Sequence, residues 1–572
     1  MPNICSHIER RVTICRVLSC CVVVFAVTFL FAAGPARIQA DVVFVGPIVT
    51  MDDSHPNADA IAVKAGRIVA IGSETEVMAD VETSVPRVRL PGTALPGLAD
   101  AHIHPLAFGH QLEELDLRGL TKEEIIRRVA DRAKELPAGS WIEGRGWDQG
   151  FWSPVKFPTT ADLDASTGLH PTILTRIDGH SIWVNSAALR AAGIKHDTAD
   201  PEGGRLMRMA DGSPSGVLVD KAVTLVEKIL PKPTHDQLLK QLSAALHHCV
   251  QLGLTSIHDA GEDLEGIALY KELVAQNRLP LRAYVMALGT GKTAAEMLTH
   301  APEPPLGDGR LSIRSFKVFL DGALGSRGAE LLSPYSDAPS EHGLELMTDG
   351  DFRLLLKNAV ARGYQVNVHA IGDKAVRRAL DGFEQAGGSD IATERYRVEH
   401  ASVVDPSDLG RFARLHVIVS TQPIFVGEYS RWAADRLGPV RAAHVLPTAD
   451  LIRSGAVVAS GTDFPASDSP SPILSLYAMV TRHGADGTPA GGWYPEQRVD
   501  VMTALRAMTW APAFAAFEEQ DLGVLAVGRL ADLTVLSADP RTTAPEELKN
   551  LLVTMTVVGG VAMYEANRTM GR

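Results

Sequence analysis

From Asp41 to about Leu95, short β-type runs (Val42–Val45, Ala60–Val63, Arg67–Ile71, Arg87–Leu90) are separated by turn residues. They predict strands, and no helix of any length fits between them. The texture returns near the other end in Leu533–Leu536 and Val553–Val558, around the turn Ala538-Asp539-Pro540. Each piece alone would leave open edges and an unburied apolar face. The two ends, 41–95 and 515–572, are therefore expected to pair into one small β-sandwich domain.

Between them, continuous apolar runs alternate with amphipathic helical stretches such as Asp373–Ala386. Eight runs read as buried strands: Ala94–Ala101, Thr172–Ile177, Thr255–His258, Ile313–Leu320, Gln365–His369, Arg397–His400, Val417–Ser420 and Val457–Ser460. Buried parallel strands have this texture. Eight units with intervening helices predict an α/β fold, a (β/α)8 TIM barrel over 96–514, with a doubly wound open sheet as the alternative. The stretch from 106 to 169 is too long for an ordinary connection and reads as an inserted subdomain after the first barrel strand.

The first forty residues follow another pattern. Arg10, Arg11 and Arg16 precede an apolar run from Val17 to Ala33, and small residues lead to Ala40. This is the layout of a secretory signal peptide over 1–40, cut after Ala40; an uncleaved membrane anchor is the alternative. Arg10-Arg11 also permits a twin-arginine route. The expected location is periplasmic or extracellular, with no stable membrane association once the leader is removed.

Cleavage changes the chemistry that remains. Removing a leader of charge +3 from a chain of −13 leaves −16, an acidic surface unsuited to nucleic acid. Four of five cysteines leave with it, so the lone Cys249, inside the apolar helical pattern Leu242–Leu252, reads as a buried structural thiol. No internal disulfide is then available. A small-molecule substrate is the expected partner, and a homodimer is compatible with the composition.

The candidate chemistry sits at strand ends. In His102-Ile103-His104, two imidazoles two positions apart share one face of an extended segment. His369, His400 and Asp463 each close a proposed strand, separated by 31 and 63 residues, about one and two βα units. In a barrel those ends converge on one rim, where catalytic groups lie. His180 closes the second proposed strand and His258-Asp259 the third, which makes His180 a candidate substrate contact. Arg327, in a glycine-rich loop, is a candidate clamp for a substrate carboxylate, or else fixes its loop through a salt bridge. Trp141, Trp147, Phe151, Trp152 and Phe157 crowd the insert, as a pocket roof or as its own core.

Pro96-Gly97-Leu98-Ala99-Asp100-Ala101-His102-Ile103-His104 resembles the first-strand signature of the amidohydrolase superfamily. The segments from Phe316 to Arg327, Val368 to Asp373, Val398 to Ala401 and Gly461 to Pro465 resemble its type-3 branch, which includes N-substituted formamide deformylases. Gly528–Leu533 is similar to that branch's closing β-segment. The resemblance implies that His102, His104 and Asp463 hold one divalent ion, and that His369 and His400 hold a second. It also implies that Lys317 bridges the two as a carbamate; an unmodified lysine paired with Asp321 beside a single metal is the alternative. Histidine-rich N/O ligands suit Zn2+ first. Bound metal lowers the pKa of water to about 7 and yields hydroxide, and Asp463 is the general base and acid. The expected activity is hydrolysis of a non-peptide C–N bond in a small amide, formamide or cyclic amide. A lactonase or esterase, or an exported binding protein without turnover, are the other readings.

Overall fold

A computed structural model describes residues 37–177, 179–387 and 391–566. The proposed leader lies outside the described residues, except for its last four. Eight parallel strands form the central sheet: Leu98–Ile103 (β1), Leu254–Glu262 (β2), Arg282–Leu288 (β3), Leu311–Phe319 (β4), Gln365–Ala370 (β5), Arg397–His400 (β6), Ile418–Thr421 (β7) and Val458–Ser460 (β8). Neighbours pair in chain order from β1 to β8. Outward residues such as Phe316, Val318, Val366 and Val368 join the main apolar cluster with the surrounding helices.

The barrel closes between its first and last strands through the Asp100 carboxylate. One oxygen accepts from the backbone N–H of His102 and of Thr462, both at 3.0 Å. The other accepts from the Thr462 hydroxyl at 2.6 Å. Asp463 N–H donates to His102 C=O at 2.6 Å, and His104 N–H to Phe464 C=O at 3.0 Å. Gly461 is needed at this seam, because a Cβ there would lie 2.5 Å from the His102 nitrogen.

The expected eight-strand count is met, but two assignments change. Thr172–Arg176 is not a barrel strand. It lies in a separate six-stranded sheet with Leu115–Asp116, Ile142–Trp147, Ser181–Val184, Gly204–Arg208 and Pro214–Asp220. The insert thus runs well past residue 169, to about Asp220. Arg282–Leu288 fills the vacated place in the barrel. Both segments are buried apolar runs, and texture alone does not say which sheet a run joins. Tryptophans 147, 152 and 183, with ring centroids 6.0–6.2 Å apart, form the insert's own core rather than a pocket roof.

The expected first strand also divides. Thr93–Pro96 belongs to the sheet built from the chain ends, and β1 begins at Leu98. A Cβ on the intervening Gly97 would lie 2.0 Å from the Thr255 hydroxyl oxygen, so only glycine passes there. In that sheet, Leu533–Leu536 pairs with Thr93–Pro96, and Phe44, Ile61, Val535 and Met555 share one apolar cluster. A short helix, Glu74–Asp80, stands where only strands were expected. Ser73 and Glu76 close a capping box at its start, a signal present in the sequence. Cys249 is buried in the helix His235–Gln251, and burial pushes its thiol pKa far up, as a structural thiol requires.

At the barrel base, Arg282 grips Asp532 with two bonds of 2.8 and 3.0 Å, tying β3 to the end sheet. Burial beside this pair pushes the Glu518 carboxyl up to about 7 from an ordinary 4.5. A carboxyl raised by folding favours the folded state below its unfolded pKa, and the benefit is lost as pH rises through the folded value. Wild type is therefore expected to lose stability relative to Glu518→Gln between about pH 5 and about pH 8. Urea midpoints of both proteins across that window check this, and a parallel pH dependence would refute it.

Candidate metal centre

The C-terminal ends of β1, β4, β5, β6 and the turn after β8 bring six side chains together. His102, His400 and Asp463 present ligand atoms within 4.8 Å of one another. Asp463 Oδ1 lies 3.2 Å from His104 Nε2 and 3.5 Å from His102 Nε2. Its Oδ2 lies 3.9 Å from His400 Nδ1. The His400 ring stands 4.7 Å from that of His102 and 4.5 Å from that of His369. Lys317 Nζ lies 3.3 Å from His102 Nε2. His400, Ala401 and Asp463 adopt positive φ values of 73°, 44° and 59°. Such backbone costs about 1–3 kcal/mol per residue and is held where the surroundings fix it.

Burial sets the protonation states. It drives the imidazoles of His102 and His400 well below their ordinary pKa and that of His369 down to about 3, with Lys317 adding to the effect. All three are thus neutral at pH 7 and keep a lone pair for a cation. His369 Nε2 is buried without a hydrogen-bond partner, an acceptor that a metal would satisfy. Burial lowers Lys317 to about 8, which brings its neutral amine within reach near physiological pH. The donors present, imidazoles with one carboxylate, fit a divalent transition ion.

Lys317 makes no ion pair with Asp321. The Asp321 carboxylate instead accepts the backbone N–H groups of Glu330, Ile371 and Gly372 at 2.8–3.0 Å and fixes the loops after β4 and β5. Arg327 is held by Asp337 at 3.0 and 3.1 Å, the loop-fixing arrangement. His180 stands on an exposed hairpin of the insert sheet, 3.2 Å from Asp220. The reasoning that placed it at a barrel strand end fails, because that strand is not in the barrel. His258 lies inside the barrel, 2.9 Å from Arg397.

The sequence reading passed over the groups that orient these ligands. His102 Nδ1–H donates to Glu399 at 2.6 Å, which turns Nε2 toward Lys317 and Asp463. The other Glu399 oxygen lies 2.8 Å from Arg397 Nε, and Arg397 also donates to Ala101 C=O at 2.8 Å. His400 Nδ1–H donates to Gln422 at 2.8 Å. Two charged residues at alternate positions of a short strand that also ends in a candidate ligand, Arg397 and Glu399, were the available signal. Alternation turns both inward.

The amidohydrolase family model matches residues 92–564, the barrel, its insert and the C-terminal part of the end sheet. The chain belongs to the amidohydrolase family, in its type-3 branch. Protein LONG AFTER FAR-RED 3 of Arabidopsis thaliana is 32% identical over 553 residues, spanning 93% of this chain and 92% of that protein. N-substituted formamide deformylase of Arthrobacter pascens is 26% identical over 538 residues, spanning 90% and 96%. The crystal structure of an uncharacterized metal-dependent hydrolase from Pyrococcus horikoshii OT3 matches with a TM-score of 0.73 at 26% identity, covering 88% of this chain and 99% of that one. This amidohydrolase is accordingly a metal-dependent hydrolase by class, with the groups for that chemistry gathered at the barrel mouth.

Proposed function

We propose that this amidohydrolase cleaves a non-peptide C–N bond in a small amide, formamide or cyclic amide. The observation that carries the reading is the position of Asp463, whose two oxygens face His102, His104 and His400 at the open end of the barrel. The likeness to a formamide deformylase along nearly its whole length supports the bond type. His102, His104, His369, His400 and Asp463 would hold divalent metal, with Zn2+ the best fit to the donors. Bound there, a divalent ion supplies Lewis acidity, polarising a carbonyl and bringing the pKa of water to about 7. Asp463, at the open end of the barrel, would take the proton from the attacking water and pass it to the leaving nitrogen. Lys317, neutral once it loses its proton, would add CO2 through Nζ with release of a second proton, and the carbamate oxygens would add to the ligands available for the metal. The N-terminal segment directs the protein out of the cytoplasm.

A panel of amides, formamides, cyclic amides and lactones tests the reading, with metal-loaded and chelator-treated protein side by side. Chelator-sensitive release of an amine or of a ring-opened acid is the expected result. Turnover of lactones alone would replace the C–N assignment with an esterase, and no turnover by metal-loaded protein would leave a binding protein. Intact mass spectrometry reads the Lys317 adduct independently, as an added CO2 that acid removes.

A further inference from the structure

Side chains alternate along β4, so Ser315, Lys317 and Phe319 face the barrel interior while Phe316 and Val318 face the helices. Phe319 is the last of the inward series and lies in register with His369 on β5. Its ring is 37% exposed, although it stands over the ligand layer rather than on the outer surface. The His369 ring is 5.1 Å away and the Lys317 ammonium nitrogen 4.8 Å from the ring centre. Phe319 thus stands outside the buried apolar clusters. Leu288, the last residue of β3, is in register with Lys317, half-buried, and likewise outside every cluster. The Leu288 side chain lies beside Lys317 over Gly261, where a Cβ would crowd Leu288 at 3.2 Å and Lys317 at 3.4 Å.

Two large apolar side chains left partly exposed at the mouth of a polar site offer apolar area that a bound group would remove from water. We propose that Phe319 and Leu288 form a subsite for an apolar substituent of the substrate, next to the scissile carbonyl. This rests on the hydrolytic reading and narrows it to amides that carry an aryl or branched-alkyl group rather than small polar ones. An aromatic ring gains most, through offset or edge contact with Phe319.

Hydroxamates report the subsite without turnover, because they chelate metal through one end and present a chosen substituent at the other. Isothermal titration of the metal-loaded full chain with benzohydroxamate and acetohydroxamate is expected to favour the aromatic probe by about tenfold or more. In Phe319→Ala that preference should fall to within about threefold, and Phe319→Leu should keep an intermediate value. Metal content and melting temperature should stay unchanged in both variants. An equal preference in wild type and Phe319→Ala overturns the subsite, as does a wild type that binds both probes equally. If no amide is hydrolysed while the aromatic preference and its loss in Phe319→Ala persist, the C–N assignment fails and the subsite stands. Amide turnover with no dependence on residue 319 defeats the subsite alone.

Discussion

Asp463→Asn is expected to lower kcat/KM by about ten-thousand-fold while leaving the fold intact. The amide matches the carboxylate in size, and Asp463 N–H keeps its bond to His102 C=O, so the turn after β8 holds its course. The side chain does lose its negative charge, which faces three imidazoles, and with it the ability to accept a proton from water. Part of the loss is weaker metal binding, so metal content is measured alongside steady-state kinetics at saturating Zn2+. A variant within tenfold of wild type at full metal occupancy would remove Asp463 from the chemistry. The melting temperature separates this outcome from misfolding.

Glu399→Gln carries the second large effect, and it touches no substrate. Glutamine can still accept from His102 Nδ1–H, yet it removes the charge that balances the fully buried Arg397. Breaking a buried pair by removing one partner costs about 3–5 kcal/mol, because the other charge stays uncompensated. Loss of a carboxylate behind a metal-binding histidine typically weakens the metal by about 10–100-fold. Both numbers are measurable on one preparation, the first by urea unfolding of the metal-free protein and the second by competition with a chromogenic chelator. Unchanged metal affinity would show that Glu399 only supports the fold.

Most of the side chains gathered at the barrel mouth were legible because they lie at or near the ends of strands of recognisable texture, whereas Lys317 was reached only through the family resemblance. His369, His400 and Asp463 follow apolar runs, and β-structure carries each to the same rim. The barrel itself was legible as a count, but not strand by strand. Thr172–Arg176 and Arg282–Leu288 are both buried runs of parallel strands, one in the insert and one in the barrel. Only pairing partners distant in the chain distinguish them, and His180 was misplaced with the first. Glu399, Arg397 and Gln422 were missed for a related reason. Their role is to orient another side chain, and which imidazole lies opposite Glu399 depends on how β1 and β6 meet across the interior. Phe319 escaped notice because an apolar residue at the end of an apolar run looks like core until its exposure is known.

The seam between β1 and β8 has a further meaning for assembly. Asp100 and Thr462 are 362 positions apart, and the two residues that follow them most closely in the site, His102 and Asp463, meet only when that seam forms. A chain whose last barrel strand has not yet docked owns five of the six donors, but lacks Asp463 and the seam that sets it against His102. The complete donor set therefore exists only in a closed barrel, so the site's capacity to hold an ion depends on the two most distant strands having met.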